Sequence, residues 1–547
     1  MTGGQGLTET PAAGRTRAAK VAAPAQHPRR DTVMFLRAAL LLSLAVYPAL
    51  AQPSTAARGA AEAAAAARAY RQANEHAILD ELRALLAIPN VATDTVNIQR
   101  NAEHLRAMLE RRGFRVQLLP IEGRGPVVWG ELRAPGARRT VLFYCHYDGQ
   151  PVDPARWIET KPWEPALRTN AIEAGGRLIP FPAPGTPYQD DWRIYARSAS
   201  DDKSPIVAIL VALDALRTQG IPLGVNVKFL LDGEEEDGSP NLGRVLAEHR
   251  ELFAADLVIS ADGPVHQTGR PQIVFGNRGI VTAEITVYGP YRPLHSGHYG
   301  NWAPNPAMRL AQLLASMKDE DGRVRIEGFY DDVRPLSELE KQALAAAPKN
   351  EPQMMQQFGF SGPEGSGRPL VELINLPSLN VRGLRSGWVG EEARTVVPDV
   401  AIAALDLRLV KDVDPQRQFE RLVAHIRRQG YYVTDREPTH EERMQHPRIA
   451  RVVMGDGYPA ARTPMDLPPA RAVVEVVEAA TGEPVVKLPT SGGSVPMYLI
   501  ERMGLPIVHV PIVNHDNNQH SPNENLRIGN FRRGIEIFAA LLAALDW

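Results

Sequence analysis

Thr140 to Asp148, TVLFYCHYD, is the stretch on which the reading of this chain turns. Val141 through Cys145 form an unbroken apolar and aromatic run, the pattern of a strand buried on both faces of a sheet. The run stops at His146, Tyr147 and Asp148, so polar chemistry begins where the strand ends. In open α/β sheets, ligands bind in the crevice beyond the carboxyl ends of the strands, which is where this reading places His146 and Asp148. A lone His-x-Asp triplet is more often a surface turn, so its weight depends on whether other strands end the same way.

They do. RIYARSASDDKS, Arg193 to Ser204, carries a short apolar stretch into Asp201 and Asp202, followed by Lys203 and a helical pattern from Pro205 to Leu216. VNVKFLL, Val225 to Leu231, runs into Asp232, Gly233, Glu234, Glu235, Glu236 and Asp237. DLVIS, Asp256 to Ser260, ends at Ala261 and Asp262, and PIVHVPIV, Pro506 to Val513, runs into NHDNNQH, Asn514 to His520. His146, Asp148, Asp201, Glu235, Glu236, Asp262 and His520 would then share one rim of one sheet. So many carboxylates cannot crowd together without a cation among them, because like charges a few ångströms apart raise each other's pKa. A pair of metal ions is the economical answer. Two His and three or four carboxylates suit zinc, with cobalt or manganese as softer preferences.

Strand, helix and strand recur around these segments: helices from Ala56 to about Leu86 and from Val96 to Gly113, then a strand from Arg115 to Leu119. The expected class is α/β, and the length suggests two or more domains. Hydrophobic residues make up 44% and charged residues 23%, with a net charge of −2, the composition of a soluble globular protein without the basic stripe of a nucleic-acid binder.

The first 51 residues read differently. MFLRAALLLSLAVYPALA, Met34 to Ala51, has an early positive charge, an apolar middle and a small-x-small ending, the pattern of a signal peptide cleaved after Ala51. The apolar core from Ala38 to Leu50 falls short of the roughly 20 residues a spanning helix needs, so no stable membrane anchor is expected after cleavage. Export to a periplasmic or extracellular location follows as the expectation, with Met34 an alternative start. Cleavage takes the formal charge from −2 to −6. The only cysteine, Cys145, lies inside the opening strand. It reads as a small buried hydrophobe, since adjacent strand residues point to opposite faces and cannot form a thiol–imidazole couple.

The ordered motifs HYD, SASDDKS, EEEDGS, SAD, LHSGHYGN and HSPNEN together resemble the M20 family of metallopeptidases, and among them the dipeptidase branch; the match covers nearly the whole chain after about residue 70. The resemblance implies a catalytic α/β domain with a mixed sheet and helices on both faces, interrupted by a smaller α+β dimerisation or lid domain. The implied boundaries are 52–278 and 461–547 for the catalytic domain, with 279–460 for the lid. It further implies that His146 and Asp262 hold one metal, Glu236 and His520 the other, and that Asp201 bridges them through a cis peptide to Asp202. Glu235 would be the general base and Asp148 would orient His146. Physical chemistry agrees with those roles. A water shared by two dications loses a proton near neutral pH. Glu235 can take that proton and pass it to the leaving amine. Asp148 can accept the free ring N–H of His146.

Relatives carry glycine-rich sequence where this chain has Arg197, Ser198, Ala199 and Ser200, and residues 170–192 look like an inserted surface loop near the site. In the lid, GIVTAEITV, Gly279 to Val287, and ARTVVPDVAIAALDLRLV, Ala393 to Val410, alternate as sheet strands do, and a helix follows Asn305 and Pro306. Between them lies a long polar segment, Lys318 to Arg368, helical from Ser337 to Ala347. By resemblance His295 reaches across a homodimer to the partner's metals and polarises the scissile carbonyl. Thr395, Arg408 and Ser494 would bind the substrate's carboxylate, a task suited to the planar guanidinium. The expected activity is hydrolysis of dipeptides or small peptides with a free C-terminal carboxylate. An N-acyl-amino-acid amidohydrolase would use the same metals with a different pocket. A non-catalytic dimeric binding protein of the same fold is disfavoured, because every expected ligand and Glu235 are present.

Overall fold

The computed structural model describes residues 55–547; the leader and the proposed cleavage site after Ala51 lie outside the described residues. The opening stretch is the strand Arg139–His146. Val141, Phe143 and Cys145 face one hydrophobic core and Leu142 and Tyr144 the other, which is why the run shows no polar alternation. This strand lies inside an eight-stranded mixed sheet whose spatial order is Arg115–Leu119, Val127–Leu132, Val225–Asp232, Arg139–His146, Leu257–Ser260, Ile507–His509, Gln272–Val274 and Val486–Leu488. The third through sixth of these strands pair in parallel, so their carboxyl ends form one edge.

Helices cover both faces. Thr55–Leu86, Lys203–Thr218, Pro468–Thr481 and Ile528–Ala544 supply the larger core, and Leu242–Glu248 and Tyr498–Arg502 supply the opposite one. The second helix of the chain runs Thr95–Glu110, not to Gly113; the glycine sits three residues later at φ +81, in the turn that leads to the first strand. PIVHVPIV is likewise extended only over Ile507–His509, because Pro511 has no N–H to offer a ladder.

Between Gly279 and Tyr458 the chain builds a second sheet of five strands, ordered Ser378–Ser386, Val400–Leu409, Gly279–Tyr288, Ile449–Tyr458 and Tyr432–Thr434. The helices Pro306–Ala315 and Pro415–Arg428 pack on one of its faces around a core of its own. The polar segment holds the expected helix, Glu338–Ala346, closed at its start by a Ser337–Glu340 capping box, and a further short helix, Glu351–Phe358. Residues 170–192 are more than a loop: Leu178–Ile179 pairs with Ala166–Arg168 in a small four-stranded sheet that also takes in Arg193–Tyr195 and Asn525–Arg527. That sheet ties the segment before Asp201 to the segment after His520.

Candidate metal centre

The parallel strands deliver their terminal residues to one place. His146 is the last residue of its strand, Asp262 lies two residues past Ser260, and Glu235 and Glu236 open a single 3-10 turn after Asp232. Gly233 is required there, since a Cβ would collide with the hydroxyl of Tyr147. Asp201 arrives from the loop before the helix Lys203–Thr218, and its peptide bond to Asp202 is cis. Lys203 follows with its ammonium buried, donating to the carbonyls of Leu85 and Ile88 at 3.0 Å each, so the first helix of the domain is fastened to the loop carrying Asp201.

The donors converge in two overlapping trios, His146–Asp201–Asp262 and Asp201–Glu236–His520, with the ligand atoms of each trio within 4.8 Å of one another. Asp201 is common to both. Its Oδ1 lies 2.8 Å from His146 Nε2 and its Oδ2 3.1 Å from His520 Nε2, while His520 Nε2 is also 3.3 Å from Glu236 Oε2. Imidazole nitrogen and carboxylate oxygen are the donor set of zinc and its neighbours, and a carboxylate with one oxygen in each trio has the form of a bridging ligand. The residues therefore fit a pair of divalent cations.

Protonation in the metal-free chain supports that reading. Burial, reinforced by the charge of Asp201, pushes Asp262 up to about 6 and Glu236 up to about 7. Burial and the charges of Asp262 and Glu236 raise Glu235 well above the usual carboxylate range. Burial opposes ionisation of Asp201, but hydrogen bonds to His146 and His520 outweigh it and hold that carboxyl far below its ordinary value. The hydrogen bond to Asp201 in turn raises His520 to about 9. The imidazolium protons supply the positive charge that the carboxylates require, the place a metal pair would take.

Around the donors stand the residues that aim them. Asp148, fully buried, lies 3.2 Å from His146 Nδ1 and accepts the backbone N–H groups of Glu235 and Glu236 at 3.2 and 3.0 Å. One carboxylate thus orients the His146 imidazole and sets the turn carrying Glu235 and Glu236. Gln150 donates to Glu236 Oε2 at 2.7 Å and Gln519 to Asp201 Oδ2 at 2.9 Å. Ser198 adopts φ +59, and its hydroxyl accepts from Asn90 at 2.8 Å, a contact a glycine there would lack.

A cavity of about 560 Å³ opens over the centre, within the ~300–1,000 Å³ of small-molecule sites. Asp201, Glu235, Glu236, Asp262 and His520 line it, together with Arg408, Tyr458 and Ser494. Arg408 Nη1 donates to Ser494 Oγ at 2.7 Å, which joins the second sheet to the Gly492–Gly493 turn. Thr395 is not among the cavity's residues. It lies beside His295, its carbonyl accepting from the N–H of Ser296 at 2.9 Å, and both side chains are exposed. Sequence reasoning missed Gln150, Gln519 and His509. His509 lines the cavity, almost fully buried and pushed down to about 4 by burial; its only signal was a histidine within an apolar strand.

The sheet edge and its donor set define a two-metal hydrolase. The model of peptidase family M20/M25/M40 matches residues 142–544, and the chain belongs to that family. It is 30% identical to the M20 family metallo-carboxypeptidase Sso-CP2 of Sulfolobus solfataricus, whose crystal structure superposes with a TM-score of 0.70 over 86% of this chain and 98% of that one. Among curated proteins it is 25% identical to the Cys-Gly metallodipeptidase DUG1 of Candida albicans, over 85% of this chain and 93% of that protein. It is 27% identical to the Beta-Ala-His dipeptidase of Homo sapiens, over 78% of each.

Proposed function

We propose that this chain hydrolyses the amide bond of dipeptides or small peptides with a free C-terminal carboxylate, at two divalent cations, zinc first and cobalt or manganese next. The observation that carries the reading is the pair of trios sharing Asp201 with Glu235 beside them. The dipeptidases among its relatives support the substrate class. His146 and Asp262 would hold one ion, Glu236 and His520 the other, and Asp201 both. Two such ions would supply an acidified water and a polarised scissile carbonyl at this place. Glu235 takes the proton and returns it to the leaving amine, a task suited to a carboxyl whose pKa burial has raised. Asp148 keeps the His146 ring in register. Arg408, with Ser494 against it, offers a charged donor to the substrate's carboxylate.

His295 and Thr395 take part from a partner subunit in this reading. Both are exposed, as are Trp302 at 80%, Val389 at 83% and Leu384 at 62%, the last on Ser378–Ser386, the strand that ends the second sheet. An apolar surface with an unpaired strand edge is the kind that a second copy covers. The region 279–460 then serves as a dimerisation and lid domain, and the sequence before Gln52 as an export signal. Among the described residues no helix is long and apolar enough to cross a membrane.

The deciding experiment assays the purified chain on paired dipeptides and N-acyl amino acids after chelation and after adding back zinc, cobalt or manganese. Metal-restored cleavage of dipeptides is expected. Cleavage of the acyl amino acids alone would replace the substrate assignment, and a chain that takes up no metal would remove the mechanism.

A further inference from the structure

Glu524 plays no part in the centre as drawn so far, yet it is fully buried and sits four residues after His520. Each of its carboxylate oxygens takes two donors. Oε1 accepts the backbone N–H groups of Ser200 and Asp201 at 2.9 and 3.0 Å. Oε2 accepts the N–H of Ser198 at 2.9 Å and Nη1 of Arg197 at 2.8 Å. Arg197 closes the loop from the other side, its Nη2 reaching the carbonyl of Ser521 at 3.4 Å. Three of the four donors are main-chain groups of the residues leading into the bridging ligand, and the acceptor belongs to the segment that holds His520. Apart from Arg197 and the Asp201–His520 contact itself, no other charged side chain among the described residues joins the two elements: Asp516, paired with Arg193 at 2.7 Å, lies in the same segment but bonds none of residues 197–201.

We infer that Glu524 is a positioning residue that sets Asp201 and His520 at their ligating separation, and that it thereby governs the Asp201–Glu236–His520 trio more than the His146–Asp201–Asp262 trio. This rests on the two-metal reading of the centre. The reason for the asymmetry is geometric. Glu524 controls two ligands of the first trio, through its own segment and through the Asp201 loop, but only one ligand of the second. Four N–H donors around its two oxygens also leave no place for the amide N–H of a glutamine. An isosteric glutamine would turn an N–H toward an N–H and push the two segments apart.

The test is a two-site metal titration, with zinc competed by a chelator, of the wild-type chain, Glu524→Gln, Glu524→Asp and Asp516→Asn, read beside thermal midpoints of the metal-free proteins. Outer carboxylates that aim metal ligands typically change affinity by about 10–100-fold when mutated. Glu524→Gln is expected to weaken one of two zinc equivalents by that factor and leave the other within about threefold. Asp516→Asn is expected to lower the midpoint without splitting the two affinities. Excess zinc should restore kcat in Glu524→Gln with KM unchanged. Should Glu524→Gln fail to fold, Glu524→Asp, which keeps the acceptor but shortens its reach, is expected to show the same one-site weakening. Wild-type affinities at both sites in the folded Glu524 variants, or equal weakening in Asp516→Asn, would overturn the inference. A wild-type chain that binds no zinc would instead remove the centre itself, and the brace with it.

Discussion

Nε2 of His146 lies 2.8 Å from Oδ1 of Asp201, although the two residues are 55 positions apart and sit on different elements. The contact exists because the carboxyl end of a buried parallel strand and the loop before a buried helix meet at the same edge of the sheet. Asp201 completes the relationship with its other oxygen, which faces His520.

Removing that carboxylate should empty both trios together. Asp201→Asn is expected to leave less than one metal per chain by elemental analysis, whereas Glu236→Gln should spare the His146–Asp262 position. Two tightly held metals in Asp201→Asn would refute the bridging role.

Glu235 belongs to neither trio, so its loss should separate chemistry from metal binding. Glu235→Gln is expected to lower kcat by about 10²–10⁴-fold with unchanged metal content. A variant that turned over normally, or one that lost its metals, would displace Glu235 from the role of base.

Asp148 accepts two backbone N–H groups and faces His146 Nδ1, all in a buried setting. Asp148→Asn presents an amide where an acceptor is needed, and stranding such groups costs about 1–3 kcal/mol. A lower thermal midpoint together with weaker metal retention is expected; a fall in one without the other would show that the residue serves only that one.

The pH dependence follows from the groups that metals must deprotonate. His520, raised to about 9, is protonated at neutral pH in the metal-free chain, and Glu236 and Asp262 take up protons near 7 and 6. Metal affinity should therefore increase as pH climbs from about 6 toward 9, with protons released on binding. The same shifts set the sign for stability. Folded pKa values above the unfolded ones stabilise the metal-free chain at low pH, and that contribution is lost as pH rises through 6 to 9. The increase in thermal midpoint on adding zinc should be larger at pH 8 than at pH 5.5. Calorimetry in buffers of different ionisation enthalpy reads the proton count, and a pH-independent affinity would contradict the assignment.

On the proposed reading Arg408, which lines the cavity, gives a charged donor to the substrate's carboxylate, a contact worth about 1.5–3 kcal/mol. Arg408→Met is expected to raise KM for dipeptides by roughly tenfold or more with a much smaller effect on kcat. Equal KM values for a dipeptide and its C-terminal amide in the wild type would place carboxylate recognition elsewhere.

How much was legible beforehand depended on how local the signal was. His146, Asp201, Glu236 and Asp262 stand close to the end of an apolar run or the start of a helix, and His520 seven residues past Val513, so the place where hydrophobic patterning stops marked their segments, while the family resemblance implied which residue in each is the ligand. The short strand Leu178–Ile179 carried no such pattern; it is extended because Ala166–Arg168 lies beside it. Glu524 was invisible for a related reason. Nothing in HSPNEN distinguishes a solvated glutamate from one enclosed by four N–H donors more than 300 residues earlier in the chain. Thr395 and Arg408 looked alike as members of neighbouring strands, and the fold separates them, one in the cavity and one on the exposed face beside His295.

The sequence by itself determined the kinds of donor, their order and the strand ends that carry them, because burial on both faces of a sheet demands an apolar run and the first polar residue after it must stand at the edge. Only the tertiary structure decided which oxygen meets which nitrogen, and that a buried glutamate clamps the loop bringing Asp201 to the centre. Those are distances between residues remote in sequence. They are set by strand order and helix packing, which no single stretch of the chain encodes.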